Sequence, residues 1–270
     1  MKYAIGVVIN YCTNDYKFLK HNVKAVSKFS DEIIIPVADH FYDGTSENRQ
    51  LISKSIKENK EAKFIKFLYK HKEKDQNYII WRLRRILKLP LVGDSQYWIC
   101  FARLIGFNNL SKKVRYALFL DADEIIDNNK FIRWLDTSQY SKYDAMKFAN
   151  YWYFREPKYR ATTHEDTPLL VRKKNIQKEF FFDYSERQGI YQKISGKKKR
   201  MIFGLDNKPM VHHYGWARSK KEMLKKVQTW GHNRDFNWTK AVIEEFSHGF
   251  NGKDFVQNYQ YKIVKPHISF

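Results

Sequence analysis

The chain has 270 residues, of which 43% are hydrophobic and 17% aromatic, so it can bury a large core and is neither disordered nor a coiled coil. Fifty Lys and Arg against 29 Asp and Glu give a net charge of +21 and favour an anionic partner. Cys12 and Cys100 form no CxxC pair, and no apolar run approaches the roughly 18 residues of a membrane-spanning helix. These features predict a reduced, cytoplasmic protein.

The first half of the chain alternates strand and helix patterns. Continuous apolar runs predict strands at 4–10, 32–37, 62–69 and 114–120. Helices are expected after Asn14-Asp15 and from residue 46, and over 78–87 and 96–110, with a break at 90–94. This alternation predicts an α/β fold with a Rossmann-like, mainly parallel sheet flanked by helices. In such sheets, ligands bind beyond the carboxyl ends of the strands.

The second half of the chain has a different pattern. Strands are predicted at 144–154 and 168–172, and the segment 173–208 is basic, aromatic and irregular. Ser219 and Glu222 form a capping box that opens a further helix. We expect one domain in two parts, a core over 1–175 and a C-terminal helical and irregular subregion over 176–270.

Acidic residues follow the apolar run that ends at Leu120. Asp121 and Asp123 are two apart at a strand end, so their carboxylates point to the same side. Two like charges held together favour a hard divalent ion, and Mg²⁺ and Mn²⁺ take oxygen ligands and bridge to substrate phosphates. The alternative is a solvated strand end that caps a helix near Asn128. An EF-hand is excluded, because Ile126 stands where its loop requires glycine.

Three motifs in order resemble those of the GT-A glycosyltransferases, family 2-like. Ala102-Arg103-Leu104-Ile105-Gly106 and the strand ending in Asp121-Ala122-Asp123-Glu124 resemble its ARxxG…DxDE signature. The loop Asp39-His40-Phe41-Tyr42-Asp43-Gly44-Thr45 is similar to the family's stretch after the second strand. It departs from the pattern because Ala38 replaces the first aspartate and Tyr42 stands where a small polar residue is usual.

The resemblance implies a GT-A fold and a metal-dependent, inverting glycosyltransferase, with a UDP-sugar as the expected donor. It implies a saccharide or glycolipid acceptor, as in cell-surface polysaccharide or lipopolysaccharide synthesis. The donor-binding residues that it implies are Asn10, Tyr11, Asp39, Arg103, Asp121 and Arg218.

The same resemblance implies Mn²⁺ or Mg²⁺ bound by Asp121, Asp123 and a C-terminal histidine. His213 is preferred to its neighbour His212, and imidazole is a better ligand for Mn²⁺ than for Mg²⁺. The alternative is that the two histidines alternate between core and surface on a strand.

An inverting transferase of this family uses a carboxylate to deprotonate the acceptor hydroxyl. Asp166 and Glu165 stand just before a predicted strand and are the candidates for this base, with Asp183 and Glu186 behind them. For each of these residues, the alternative is an ordinary loop acid.

The segment between Val171 and Arg234 contains 17 Lys and Arg against five Asp and Glu. Such a surface could hold the protein at the inner face of an anionic membrane, or it could be a solvated face. Nucleic acid is disfavoured as a partner, because no nucleic-acid-binding motif is present. The competing functions are a non-catalytic basic nucleic-acid- or membrane-binding module and a phosphotransferase of the haloacid-dehalogenase type, which Ile125 and the late position of the motif disfavour.

Overall fold

The computed structural model describes residues 2–68, 94–183, 185–232 and 236–269. The helix predicted over 78–87 and the break at 90–94 lie outside these residues or at their edge. The strands, in chain order, are β1 Ile5–Asn10, β2 Glu32–Ala38, β3 Lys63–Phe67, β4 Tyr116–Asp121, β5 Glu124–Ile126, β6 Ala145–Phe148, β7 Asn150–Phe154, β8 Glu156–Glu165, β9 Leu169–Arg172, β10 Lys198–Ile202, β11 Val211–Trp216 and β12 Tyr261–Ile263. The α-helices are α1 Tyr16–Val26, α2 Arg49–Glu58, α3 Asp94–Asn108, α4 Asn128–Asp136, α5 Arg187–Lys193, α6 Lys220–Thr229 and α7 Trp238–Glu245.

A seven-stranded sheet in the order β10-β6-β9-β4-β1-β2-β3 forms the centre of the molecule. Its strands are parallel except for β9, which runs antiparallel to both β4 and β6. The predicted α/β fold with a mainly parallel, helix-flanked sheet is therefore confirmed. A second sheet, in the order β12-β8-β7-β11-β5, is mostly antiparallel.

The apolar runs become central strands because both faces of the sheet are covered. Along β1, Val7 packs in the larger core cluster with α1, whereas Val8 packs on the opposite face with Leu104 of α3. Alternate residues of β4 divide between the same two clusters. Burial on both faces explains why these strands have continuous rather than alternating apolar sequences.

The prediction of one strand over 144–154 is wrong, because the chain changes sheets at Ala149. β6 pairs with β9 and β10 in the central sheet, and β7 pairs with β8 and β11 in the second sheet. The amide of Ala149 donates to the carbonyl oxygen of Ile202 at 3.0 Å, which holds the crossing point. Both strands are buried, so the hydrophobic pattern alone carries no sign of the break.

Two further expectations need correction. The segment 173–208 is not irregular throughout, since it contains α5 and the edge strand β10, where lysines are well tolerated. Asp15 precedes α1, but its side chain does not cap the helix and pairs with Arg218 instead. The predicted capping box of Ser219 and Glu222 is present at the start of α6.

None of the helices in the described ranges combines the length and the apolar character that crossing a membrane requires.

Gly106 allows α3 to lie directly on the central sheet. A Cβ atom at this position would stand 2.4 Å from Cγ1 of Val8, whose β-branched side chain is buried in β1. We expect Gly106→Ala to lower the free energy of unfolding by about 1–2 kcal/mol, because overpacking outweighs the roughly 1 kcal/mol gain in helix propensity. Urea denaturation measures the change.

Gly249→Ala is the matched control, since a Cβ there meets nothing within 4 Å. Its effect should stay within about 0.5 kcal/mol. An unfolding free energy for Gly106→Ala equal to or above that of the unchanged protein would contradict the close approach of α3 to β1.

Candidate functional site

A cavity of about 430 Å³ opens at the carboxyl ends of β1 and β4. These strands are parallel neighbours, and their register places Asn10 beside Asp121, so both residues reach the same edge of the sheet. Asn10, Arg103, Asp121, Asp123 and His213 all line the cavity. The structure therefore brings five of the residues proposed from sequence to one place, where ligands bind in open α/β sheets.

Asp121 lies between two arginines. Its Oδ1 accepts from Arg103 at 2.9 Å and its Oδ2 accepts from Arg187 at 2.9 Å. Each arginine has a second carboxylate partner, since Arg103 also donates to Glu186 and Arg187 donates to Glu124 at 2.5 Å. The buried guanidiniums, only 3% and 9% exposed, thus fix the Asp121 side chain from both sides.

Asn22 and Glu124 hold the turn that carries the two aspartates. Nδ2 of Asn22 donates to the backbone carbonyl oxygens of Asp121, Ala122 and Glu124 at 2.9–3.2 Å. Glu124 accepts from the backbone amide of Asp121 at 2.8 Å and from the hydroxyl of Thr167. These bonds satisfy backbone groups at the end of β4 and hold the aspartates at the cavity edge.

Asp123 has one oxygen in ion pairs and one without a hydrogen bond. Oδ2 lies 3.2 Å from Arg218 and 3.3 Å from Nζ of Lys226. Oδ1 is buried and has no hydrogen-bond partner among the described residues. Nε2 of His213 lies 3.6 Å from this oxygen. A Cβ at Gly215 would approach His213 to 2.8 Å, so glycine leaves room for the imidazole.

The surrounding charges decide the protonation state of Asp123. Burial alone raises the pKa of this carboxyl, but the charges of Lys226, His213 and Arg218 outweigh burial and hold its pKa below the ordinary range. Asp15, which shares Arg218, has a raised pKa, mainly because it is buried. Asp123 therefore stays ionised at the cavity wall.

A divalent cation fits one part of this arrangement. Oδ1 of Asp123 and Nε2 of His213 lie 3.6 Å apart at the cavity wall and can serve as an oxygen and a nitrogen ligand. Both oxygens of Asp121 already accept from arginines. An ion here would take two ligands from the protein and the rest from water or substrate, as Mg²⁺ and Mn²⁺ commonly do.

The other donor-binding residues proposed from sequence lie apart from the cavity wall. The Tyr11 hydroxyl forms a hydrogen bond with Oγ of Ser55 at 2.6 Å inside the core. Asp39 binds Nδ1 of His40 at 2.8 Å. Arg218 has no exposed side-chain surface and lies behind Asp123, where it also donates to the carbonyl oxygen of Asn14 at 2.7 Å.

The two proposed catalytic carboxylates do not line the cavity. Asp166 is 6% exposed and pairs with Arg200 at 2.7 Å and with Lys147 at 3.1 Å. Glu165 accepts from the Tyr259 hydroxyl at 3.0 Å, and burial raises its pKa. Lys147 does line the cavity, so the ion pair with this lysine links Asp166 to the site.

Sequence reasoning missed two cations of the site. Arg187 and Lys226 were counted only as part of a basic segment, although both pair with the aspartates. Trp152, Trp216 and Trp230 line the cavity on one side. An available signal was the acidic cluster itself, because four acids within seven residues at a buried strand end need cations from elsewhere in the chain.

No protein-family model matches the chain, and no curated protein sequence matches it. Solved structures resemble its backbone at low sequence identity. S. aureus TarS 1–349 is 10% identical and aligns over 92% of this chain and 73% of its own, with a TM-score of 0.45. The same protein in complex with UDP-GlcNAc aligns with a TM-score of 0.45 at 9% identity, over 92% of this chain and 74% of its own.

A further similar structure is 4-diphosphocytidyl-2C-methyl-D-erythritol synthase from Anaerococcus prevotii. It is 12% identical and aligns over 75% of this chain and 90% of its own, with a TM-score of 0.45. The assignment of the α/β fold rests on the strand order of this chain.

Asp121 should contribute strongly to stability. Asp121→Asn removes the shared negative charge between two buried arginines, so we expect the free energy of unfolding to fall by about 3 kcal/mol, the range for breaking a buried ion pair. The exposed pair of Glu156 and Lys158, 2.8 Å apart, provides the control. Glu156→Gln should cost no more than about 1 kcal/mol. Equal losses in the two variants, measured by urea denaturation, would contradict this role.

Proposed function

We propose that the protein is a metal-dependent glycosyltransferase that transfers a sugar from a nucleotide-diphosphate donor, with UDP-sugar as the expected donor, to a saccharide or glycolipid acceptor. The observation that carries the proposal is the approach of His213 to Asp123, at 3.6 Å, in a cavity that Lys226, Arg103 and Arg187 also line. A volume of about 430 Å³ lies within the usual range for small-molecule sites.

The donor's diphosphate would lie against the cationic side of the cavity. In this proposal, Asp123 and His213 hold Mn²⁺ or Mg²⁺, and Lys226 is the nearest ammonium group, 3.3 Å from Asp123. When bound, the ion supplies charge stabilisation to the departing nucleotide diphosphate. Asp121 orients Arg103 and Arg187, so that the two guanidiniums reach the cavity wall in a fixed geometry.

The tryptophan side of the cavity suits a sugar ring. Trp152, Trp216 and Trp230 give it an apolar, aromatic wall. Aromatic faces match the C–H face of a pyranose.

We retain Glu165 as the proposed catalytic base, with Asp166 as the alternative from sequence. Neither carboxylate lines the cavity, so the acceptor hydroxyl would have to meet Glu165 beyond the cavity wall. A general base works best when its pKa approaches the operating pH, and burial raises the pKa of Glu165. Asp166 is bound by Lys147 and Arg200, and its pKa is lowered because these cations outweigh the effect of burial. The ion pair with Lys147 favours a role for Asp166 in positioning that lysine at the cavity wall.

The metal proposal is tested by calorimetry with UDP. We expect tighter UDP binding with Mn²⁺ than with a chelator, because the ion joins the diphosphate to Asp123 and His213. In His213→Leu, an apolar side chain of similar size replaces the imidazole. This variant should reduce the Mn²⁺-dependent gain in UDP affinity about tenfold or more. UDP binding of equal strength with Mn²⁺ and with chelator would remove the metal from the proposal.

His164→Leu is the control for the loss of an imidazole. His164 lies on β8 and does not line the cavity, so its replacement should leave the Mn²⁺-dependent gain unchanged. If both variants lose the Mn²⁺-dependent gain in UDP affinity equally, the loss does not come from ligation by His213.

The proposed base is tested by kinetics once a donor sugar is found by a screen of nucleotide sugars. Glu165→Gln should lower kcat by about 10²–10⁴-fold and leave the donor KM nearly unchanged. A base acts only when deprotonated, so the activity of the unchanged enzyme should fall as pH drops through a pKa above the ordinary glutamate range. Full kcat in Glu165→Gln, together with a loss in Asp166→Asn, would assign the base to Asp166 instead.

A further inference from the structure

A second group of possible metal ligands lies on the opposite face of β11 from the cavity. His212 and His213 are adjacent in this strand, so their side chains point to opposite faces. His213 faces Asp123, whereas the His212 ring stacks on that of His267, with ring centroids 4.0 Å apart and planes 4° from parallel. Asp127, at the start of α4, completes the group.

One ligand atom from each of the three side chains lies within 4.8 Å of the other two. Ligands of a tetrahedral zinc ion stand about 3.4 Å apart, given metal–ligand distances near 2.1 Å. Closing the group around an ion thus requires shifts of about 1 Å. Stacked rings aim their nitrogen lone pairs in parallel, so the His267 ring must also turn out of its stack on His212. His267 is exposed and can supply most of this movement, whereas His212 and Asp127 belong to a strand and a helix cap.

The neighbours of His212 and Asp127 orient the two for ligation. The Tyr153 hydroxyl forms a hydrogen bond of 2.7 Å with Nδ1 of His212, so Nε2 is the nitrogen that can face an ion. Oδ1 of Asp127 accepts from the backbone amide of Lys130 at 3.2 Å, which leaves Oδ2 for a metal. A hydrogen bond on the far nitrogen of a histidine is typical of metal sites.

Two cationic side chains near the group would repel a bound ion, and an ion pair neutralises one of them. Lys130 pairs with Asp206 at 2.9 Å. Arg160 lies over the ring of Tyr151, with its guanidinium carbon 4.2 Å from the ring centroid. The carboxylate of Asp127 supplies the compensating negative charge within the group.

We propose that Asp127, His212 and His267 form a binding site for a zinc-type divalent cation, separate from the cavity. Two imidazoles and one carboxylate are a known zinc ligand set, and nitrogen ligands select Zn²⁺ over Mg²⁺. The ion would join the segment that follows β12 to α4 and β11. This segment is otherwise held by contacts such as the bond from the amide of Val264 to the carbonyl oxygen of Lys158 at 2.9 Å.

The test is calorimetric titration of the chelator-treated full chain with Zn²⁺ alone, followed by thermal denaturation with and without the metal. We expect Zn²⁺ binding and a Zn²⁺-dependent rise in Tm, because an ion that binds only the folded state stabilises it. His267→Gln should weaken this binding at least tenfold and remove most of the rise in Tm. His267 is exposed, so its replacement should leave the metal-free protein folded with an unchanged Tm.

Two control variants locate the zinc ion. His248→Gln removes another exposed imidazole that is not in the group, and it should bind Zn²⁺ as the unchanged chain does. His213→Leu removes the imidazole of the cavity, and it should also retain the binding that His267→Gln loses. Unchanged Zn²⁺ affinity in His267→Gln, or loss of the site in His213→Leu, would overturn the proposal.

Discussion

The candidate site depends on the neutralisation of carboxylates at the end of β4. The partly exposed Asp121 and Glu186 lie beside the buried Asp123 and Glu124, where unpaired like charges would be costly. The chain meets this cost with cations from distant segments, since Arg103 comes from α3, Arg187 from α5, and Arg218 and Lys226 from around α6. These ion pairs connect the central sheet to the C-terminal elements and fix the cavity between them. Removing any one of these carboxylates would therefore change both the stability of the fold and the geometry of the site. His213 lies outside the arginine network, so it is the better residue for a functional test.

The same cations determine how a metal could work here. A divalent ion alone would enter a region where Lys226 and Arg218 already neutralise one oxygen of Asp123. The diphosphate of a nucleotide-sugar carries two negative charges, so a divalent ion and such a donor together add no net charge to the cavity. This balance favours joint binding over binding of the metal alone, in agreement with the modest protein ligand set of Asp123 and His213. Part of the positive charge of the segment from Val171 to Arg234 is also neutralised by ion pairs inside the protein. The charge left for an anionic membrane or acceptor is therefore smaller than the sequence total.

The sequence predicted the fold class because the fold class depends on local patterns. Continuous apolar runs identified β1 and β4, and the acids after Leu120 lie at the sheet edge where the cavity opens. The change of sheets at Ala149 could not be predicted, because β6 and β7 are both fully buried and their partners are decided by tertiary packing. The second partner of Asp121 was also out of reach, since Arg187 lies 66 residues further along the chain and only the fold brings it to this carboxylate.

β11 shows how two neighbouring residues of one type can be given different chemistry. The alternation of a strand places His213 against Asp123 in the cavity and His212 against Tyr153 and His267 on the other face. β11 pairs with β5 through His212 and Ile125 and through His213 and Glu124, so its register is tied to the turn that carries the aspartates. A shift of that register by one residue would exchange the two histidines between the faces. The pairing of β5 with β11 is therefore the feature that assigns one imidazole to the cavity and leaves the other for the proposed zinc site.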